Sequence, residues 1–144
     1  LEKNKKEKIN ILKDKIKLSL PQFGDISLVA ISALKNKGLD KLKLEIVSAK
    51  ENWNKRFTTA KLNNWLSIKT AQHPPPMLNG KRLKLRYITQ IKSRPPNFLI
   101  FSSSLDIPNN YRRFLINGLR DQFDLKNVPI RLGFRVGKNP YVKN

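Results

Sequence analysis

Three consecutive prolines, Pro74-Pro75-Pro76, constrain the fold of this chain more than any other feature. Proline fixes φ, removes a backbone donor and drives the residue before it out of the α region. A helix preceding them must therefore end by His73. An Asn79-Gly80 turn pair follows, and then Leu83 to Gln90, a run with cations at alternate positions. In an unbroken strand Leu83, Leu85 and Tyr87 point one way, and Lys84, Arg86 and Ile88 the other. A stiff connector feeding a cation-studded strand suits a surface that meets phosphates or an acidic protein face. The triproline reads better as that connector than as a polyproline ligand for another domain.

The flanking segments supply the rest of the unit. Thr58 or Thr59 N-caps a helix that carries Leu62, Trp65, Leu66 and Ile68. Ser93 to Asn97 predicts a turn around Pro95-Pro96. Phe98 to Phe101 predicts a second, wholly apolar strand, placed for antiparallel pairing with the first. Pro108 opens a helix in its first turn. Its core side holds Tyr111, Phe114, Leu115, Leu119 and Phe123, with Arg112, Arg113 and Arg120 elsewhere around it. After Pro129, Ile130, Leu132, Phe134 and Val136 alternate with Arg131, Gly133 and Arg135. That pattern is a third strand with one apolar and one basic face. The order is α-β-β-α-β, an α+β unit with two helices covering one face of a three-stranded sheet. The other face is expected to carry Lys84, Arg86, Arg131 and Arg135. Cations two apart on a strand repeat at roughly 7 Å, close to the phosphate spacing of a nucleic-acid strand. Tyr87 is the aromatic open to base stacking, whereas Phe98 and Phe101 are expected in the core.

Residues 1–55 read differently. Ile9, Leu12, Ile16 and Leu20 recur at helical spacing, and Pro21 stops the run. Ile26 to Ile31 is a short apolar stretch suited to a strand buried on both faces. Gly38 precedes a second helix bearing Leu39, Leu42, Ile46, Ala49 and Trp53. Helix, buried strand, helix is the cadence of an α/β unit, but an incomplete one. A lone strand has no sheet partner for its hydrogen bonds, so this piece is expected to be partly disordered or paired with another copy. A boundary falls near Asn54 to Phe57, dividing the chain into 1–55 and 56–144.

Charge separates the same two regions. Of 30 Lys+Arg against 10 Asp+Glu, residues 1–55 hold 13 Lys, no Arg and 7 acids, a net of +6. Residues 56–144 hold 8 Lys, all 9 Arg and 3 acids, a net of +14. Guanidinium groups fork onto phosphate or carboxylate where ammonium acts as a point charge, so the second region is the one fitted to a polyanion. The sequence has no cysteine and one histidine, which excludes disulfides and thiolate metal sites and speaks against a structural metal. No apolar run is long enough to span a membrane, and a cytoplasmic setting is expected. There is no G-x-x-x-x-G-K-[ST] phosphate loop and no paired carboxylates or oriented base. His73 reads as a helix C-terminal cap, not a catalytic base.

Several motifs in order carry a family resemblance. They are Arg56-Phe57-Thr58-Thr59, Leu62-Asn63, His73-Pro-Pro-Pro and Asn79-Gly80-Lys81-Arg82-x-Lys84-x-Arg86-Tyr87-x-x-Gln90. Further along come Pro95-Pro96-x-Phe98, Tyr111-Arg112-Arg113-Phe114-Leu115, Pro129-Ile130-Arg131 and Phe134-Arg135-x-Gly137-x-Asn139-Pro140-Tyr141. Together they resemble the C-terminal KH-like domain of the Der (EngA) family. These are bacterial GTPases with two tandem GTP-binding domains, implicated in large ribosomal subunit assembly. Ile31-Ser32-Ala33-Leu34 ahead of Gly38 looks like the end of a Ras-like GTPase domain. There Ser32, Ala33 and Leu34 match the guanine motif, with the Ala33 amide meeting the guanine oxygen. The resemblance implies GTP with Mg2+ for the parent protein and no cofactor or catalysis for this stretch alone. It implies two partners, the large ribosomal subunit with its RNA and the first GTPase domain of the same chain. Candidate contact residues are Arg82, Lys84, Arg86, Tyr87, Arg112, Arg113, Arg131 and Arg135. Ordinary KH domains clamp RNA with a Gly-x-x-Gly loop. None occurs here, which leaves the basic face open between RNA and a GTPase partner.

Overall fold

The computed structural model of the chain describes residues 2–24 and 26–137. The Asn139-Pro140-Tyr141 motif lies outside them. Helix α1 (Glu2–Ser19) leads through a 3-10 turn (Pro21–Phe23) and an extended segment to α2 (Leu39–Asn54). Then come α3 (Thr59–Gln72), a two-residue ribbon β1 (Met77–Leu78) and β2 (Lys81–Arg82), β3 (Leu85–Ser93), β4 (Pro96–Ser102), α4 (Asn109–Gln122) and β5 (Arg131–Val136). The α-β-β-α-β order is as the sequence predicts, with the ribbon added. The sheet runs β3-β4-β5, antiparallel between β3 and β4 and parallel between β4 and β5.

The helices form where local chemistry starts and stops them. Thr58 caps α3, its hydroxyl accepting from the Lys61 amide. His73 occupies the C-cap, where its backbone N–H, not its ring, donates to the Lys69 carbonyl at 2.9 Å. The His73 ring lies over Phe114 at 4.7 Å. Pro108 caps α4 and its carbonyl accepts from Arg112. The ribbon exists because Asn79 and Gly80 both adopt positive φ, 48° and 73°, the two-residue turn that joins antiparallel strands most readily.

The core lies between α3, α4 and one face of the sheet. Leu62, Trp65 and Leu66 meet Ile88, Phe98 and Ile100 from one side, and Tyr111, Leu115 and Leu119 complete it. Ile68 on α3 stays half exposed. The helices approach closely at Gly118, where a Cβ would stand 3.1 Å from Trp65 Cζ2. Two side-chain amides, the partly buried Asn63 and the buried Gln90, tie secondary elements together. The Asn63 side chain accepts from the Ile88 N–H at 2.9 Å and donates to its carbonyl at 2.8 Å, which satisfies the outer edge of β3. The Gln90 side chain accepts from the Phe57 N–H and donates to the Lys55 carbonyl, fixing the connection between α2 and α3.

The expected strand at Ile26 to Ile31 is not formed. The described residues there are extended but pair with no strand, and Ile31 is half exposed. A β-conformation needs a neighbouring ladder, and the region offers none. Its one bridge is Ser32 with Lys37. What holds the segment is a polar seam with the loop after α4. The Asn127 side chain accepts from the Ser27 N–H and donates to the Ser27 hydroxyl and to Glu45. The buried Asn52 donates to the Lys126 carbonyl at 3.0 Å, and Lys55 reaches the Asp124 carbonyl at 2.9 Å. Arg120, expected around the outside of α4, is buried instead. Its guanidinium donates to the carbonyls of Leu125 and Val128, and its side chain runs beside Gly24.

Candidate nucleic-acid interface

The sheet face away from the helices follows from the register. Ile88, Ile100 and Phe134 form one row across the sheet on the core side, so the next row, Tyr87, Phe101 and Arg135, faces outward. A further outward row is Thr89, Leu99 and Gly133, and beyond it lie Lys92, Asn97 and Arg131. Arg131, Arg135 and Lys92 are exposed, whereas Tyr87 and Phe101 are only 9% exposed, their rings 6.0 Å apart. The open face is therefore an apolar centre with cations toward its margins. Phe101 is buried as the sequence suggests, but on this face and not among the helices. Tyr87 is not a free stacking platform.

Lys84 and Arg86 do not join Arg131 and Arg135 in one patch. The alternation read from Leu83 to Gln90 breaks at a bulge between Leu85 and Tyr87, and again between Gln90 and Lys92. An extra residue leaves the ladder and re-aims its neighbours. The first bulge isolates Arg86; the second turns Lys92 onto the open face. Lys84 and Arg86 instead line an open groove of about 930 Å³ with Lys81 and Arg82 from the ribbon and Ser103, Ser104 and Asp106 after β4. The Lys84 amide donates to the Ser103 hydroxyl at 2.9 Å, and the Ser103 amide donates to the Lys84 carbonyl. That pair of hydrogen bonds fixes the groove wall. The four cationic side chains are exposed and make no ion pair among the described residues. Sequence periodicity missed Lys81 and Lys92, because turn and bulge geometry place them.

The helix arginines divide. Arg112 is committed to structure: it donates to the Leu132 carbonyl at 3.1 Å and lies 4.8 Å over the Phe134 ring. Arg113 is exposed on α4, apart from both the groove and the open face. Tyr111 donates its hydroxyl to the His73 carbonyl at 3.0 Å, and burial raises its pKa above the usual phenol value.

Ser32, Ala33 and Leu34 sit in a tight turn closed by paired hydrogen bonds between Ser32 and Lys37. The Ser32 hydroxyl accepts from the Lys35 amide, and Leu34 is 95% exposed. The Ala33 N–H donates to no group among the described residues. No cluster of potential metal ligands occurs among the described residues, and none of their helices is long and apolar enough to cross a membrane.

Helices on one face of a β3-β4-β5 sheet, in α-β-β-α-β order and with unneutralised cations on the exposed surfaces, define a KH-like domain. Residues 56–135 match the model of the KH-domain-like C-terminal region of EngA bacterial GTPase enzymes, and the chain belongs to that family. It is 48% identical over 144 positions to the GTPase Der of Cereibacter sphaeroides (strain ATCC 17029), covering 98% of this chain and 30% of that protein. It is 49% identical over 131 positions to the GTPase Der of Rhizobium etli (90% of this chain, 28% of that protein). For the GTPase Der of Ruegeria sp. the figures are 47% over 144 positions, 98% and 29%. The chain thus spans under a third of the length of these relatives.

Proposed function

We propose that this chain is the C-terminal part of a ribosome-biogenesis GTPase of the Der/EngA type. Residues 1–55 are the end of its second GTP-binding domain and 56–144 its KH-like module. The module couples the state of the GTPase domains to binding of the large ribosomal subunit and its RNA, in the cytoplasm. The observation that carries this reading is the net +14 of residues 56–144 in a family-matched KH-like domain. Exposed, unpaired cations repel one another and favour a polyanion that neutralises them.

The parent binds and hydrolyses GTP with Mg2+; this chain supplies one edge of that site. The residues fit the base contact in part. The unengaged Ala33 amide, on a turn fixed by Ser32 and Lys37, suits a guanine oxygen. The sequence offers no phosphate-cradling loop, so the chain alone neither binds nor hydrolyses the nucleotide.

A second reading, docking on the first GTPase domain with little RNA contact, draws on a separate observation. The open sheet face centres on Tyr87, Leu99 and Phe101, an apolar surface suited to protein and not to phosphate. Salt-dependent binding to ribosomal RNA separates the two. A falling log–log plot is expected, each neutralised phosphate adding about 0.7–0.9 to the slope. A slope near zero leaves the docking reading.

A further inference from the structure

The sequence alone gathers Lys84, Arg86, Arg131 and Arg135 into one face that RNA and a protein partner would have to share. The fold separates them. We infer that the ribbon groove, not the open sheet face, is the RNA contact, and that it grips the phosphate backbone through Lys81, Arg82, Lys84 and Arg86. This rests on the RNA-binding reading above and assigns it a place.

Three observations favour the groove. The first is density. Four cations occur within six residues, against a single acid in the groove wall, Asp106. On the sheet the cations are spread out: Arg131 and Arg135 stand four residues apart on an edge strand, with Asn97 and Lys92 inward of the first and Phe101 and Tyr87 inward of the second. The second is shape. The groove is concave, and Leu78 and Leu83 line it along with the cations. Low-dielectric walls focus the field of charges they flank. The third is order. Paired hydrogen bonds fix Lys84 to Ser103, and the Asn79-Gly80 turn fixes the ribbon. Because the Ser103 oxygen accepts from the Lys84 amide, its own proton is left to donate toward a phosphate oxygen. Since none of these contacts reads a base edge, the grip is on the backbone and tolerant of sequence.

The groove opens along the start of β3 and the ribbon, whereas the Arg131–Arg135 edge belongs to β5, with β4 between. RNA in the groove therefore leaves the apolar centre of the sheet available to a protein, and the two partners need not displace one another.

The test uses the 144-residue chain and a labelled 30-nucleotide single-stranded RNA across a salt series. Lys84→Ala with Arg86→Ala is expected to reduce the slope of log affinity on log salt by about 1.4, two contacts at about 0.7 each on a single strand. Arg131→Ala with Arg135→Ala is expected to leave it unchanged, and Lys84→Arg with Arg86→Lys to restore it. All these side chains are exposed, and thermal melting confirms that each variant folds. If the β5 pair removes the slope and the groove pair does not, the assignment is overturned while RNA binding stands. Polyglutamate binding as tightly as the RNA also overturns it, in favour of an acidic protein. A wild-type slope near zero instead rejects the RNA-binding reading itself.

Discussion

The two regions of this molecule carry similar apolar patterning and end in different states. In residues 56–137 the apolar side chains of α3, α4 and the sheet close on one another, leaving Leu62, Ile88, Phe98, Ile100, Leu115 and Leu119 fully buried. In the first 55 residues Leu12, Leu20, Ile46 and Trp53 of the periodic faces remain exposed, as do Ile11, Leu44 and Val47 beside them, and the buried residue on α2 is a polar one, Asn52. Periodicity makes a face; it does not provide the surface that covers it. The first region is held to the second through amide and carbonyl contacts, where hydrophobic burial, the dominant favourable term in folding, contributes little.

That contrast predicts a graded series of substitutions. Leu115→Ala removes a fully buried side chain from the KH-like core and should cost about 2–5 kcal/mol in chemical denaturation. A cost below about 1 kcal/mol would break the claim that this region has its own core. Next is Asn63→Ala, which strips partners from both the N–H and the carbonyl of Ile88. It should cost about 1–3 kcal/mol, with faster amide exchange along β3 ahead of β5. Asn127→Ala breaks the seam without touching the core, so about 1 kcal/mol is expected. Its signature is local: faster exchange in α2 and at Ser27, unchanged exchange in β4. Leu44→Ser sits on an exposed face and should change stability by no more than about 0.5 kcal/mol. A larger loss would show that the face is covered in solution and would erase the comparison.

Much of the KH-like unit was legible because its signals are local. The triproline, the Asn79-Gly80 pair, the Thr58 cap and the strict alternation of Ile130 to Val136 each act within a few residues. Element order, the helix-covered face and most of the core follow from them. The ladder of β3 was not legible. A bulge adds a residue to one strand without any residue type that marks it, and every side chain beyond it changes face. That is why Lys92 joins the open face while Lys84 and Arg86 turn to the groove. Arg112 and Arg120 were unreadable for another reason. Their partners are carbonyls of Leu132, Leu125 and Val128, which become neighbours only once α4 packs against the following loop. The strand expected at Ile26 to Ile31 has the right composition and lacks a neighbour. Tertiary context, not propensity, decides it.

Hydrogen exchange on the dilute chain tests the central contrast most directly, because it reads the stability of each element separately. The account predicts slow exchange, near the global limit, for Ile88, Phe98, Ile100 and the buried turns of α3 and α4. It predicts fast exchange for Ile26 to Ile31. Strong protection at Ile26 to Ile31, equal to that of β4, would contradict it and would mean that the first region carries a fold of its own.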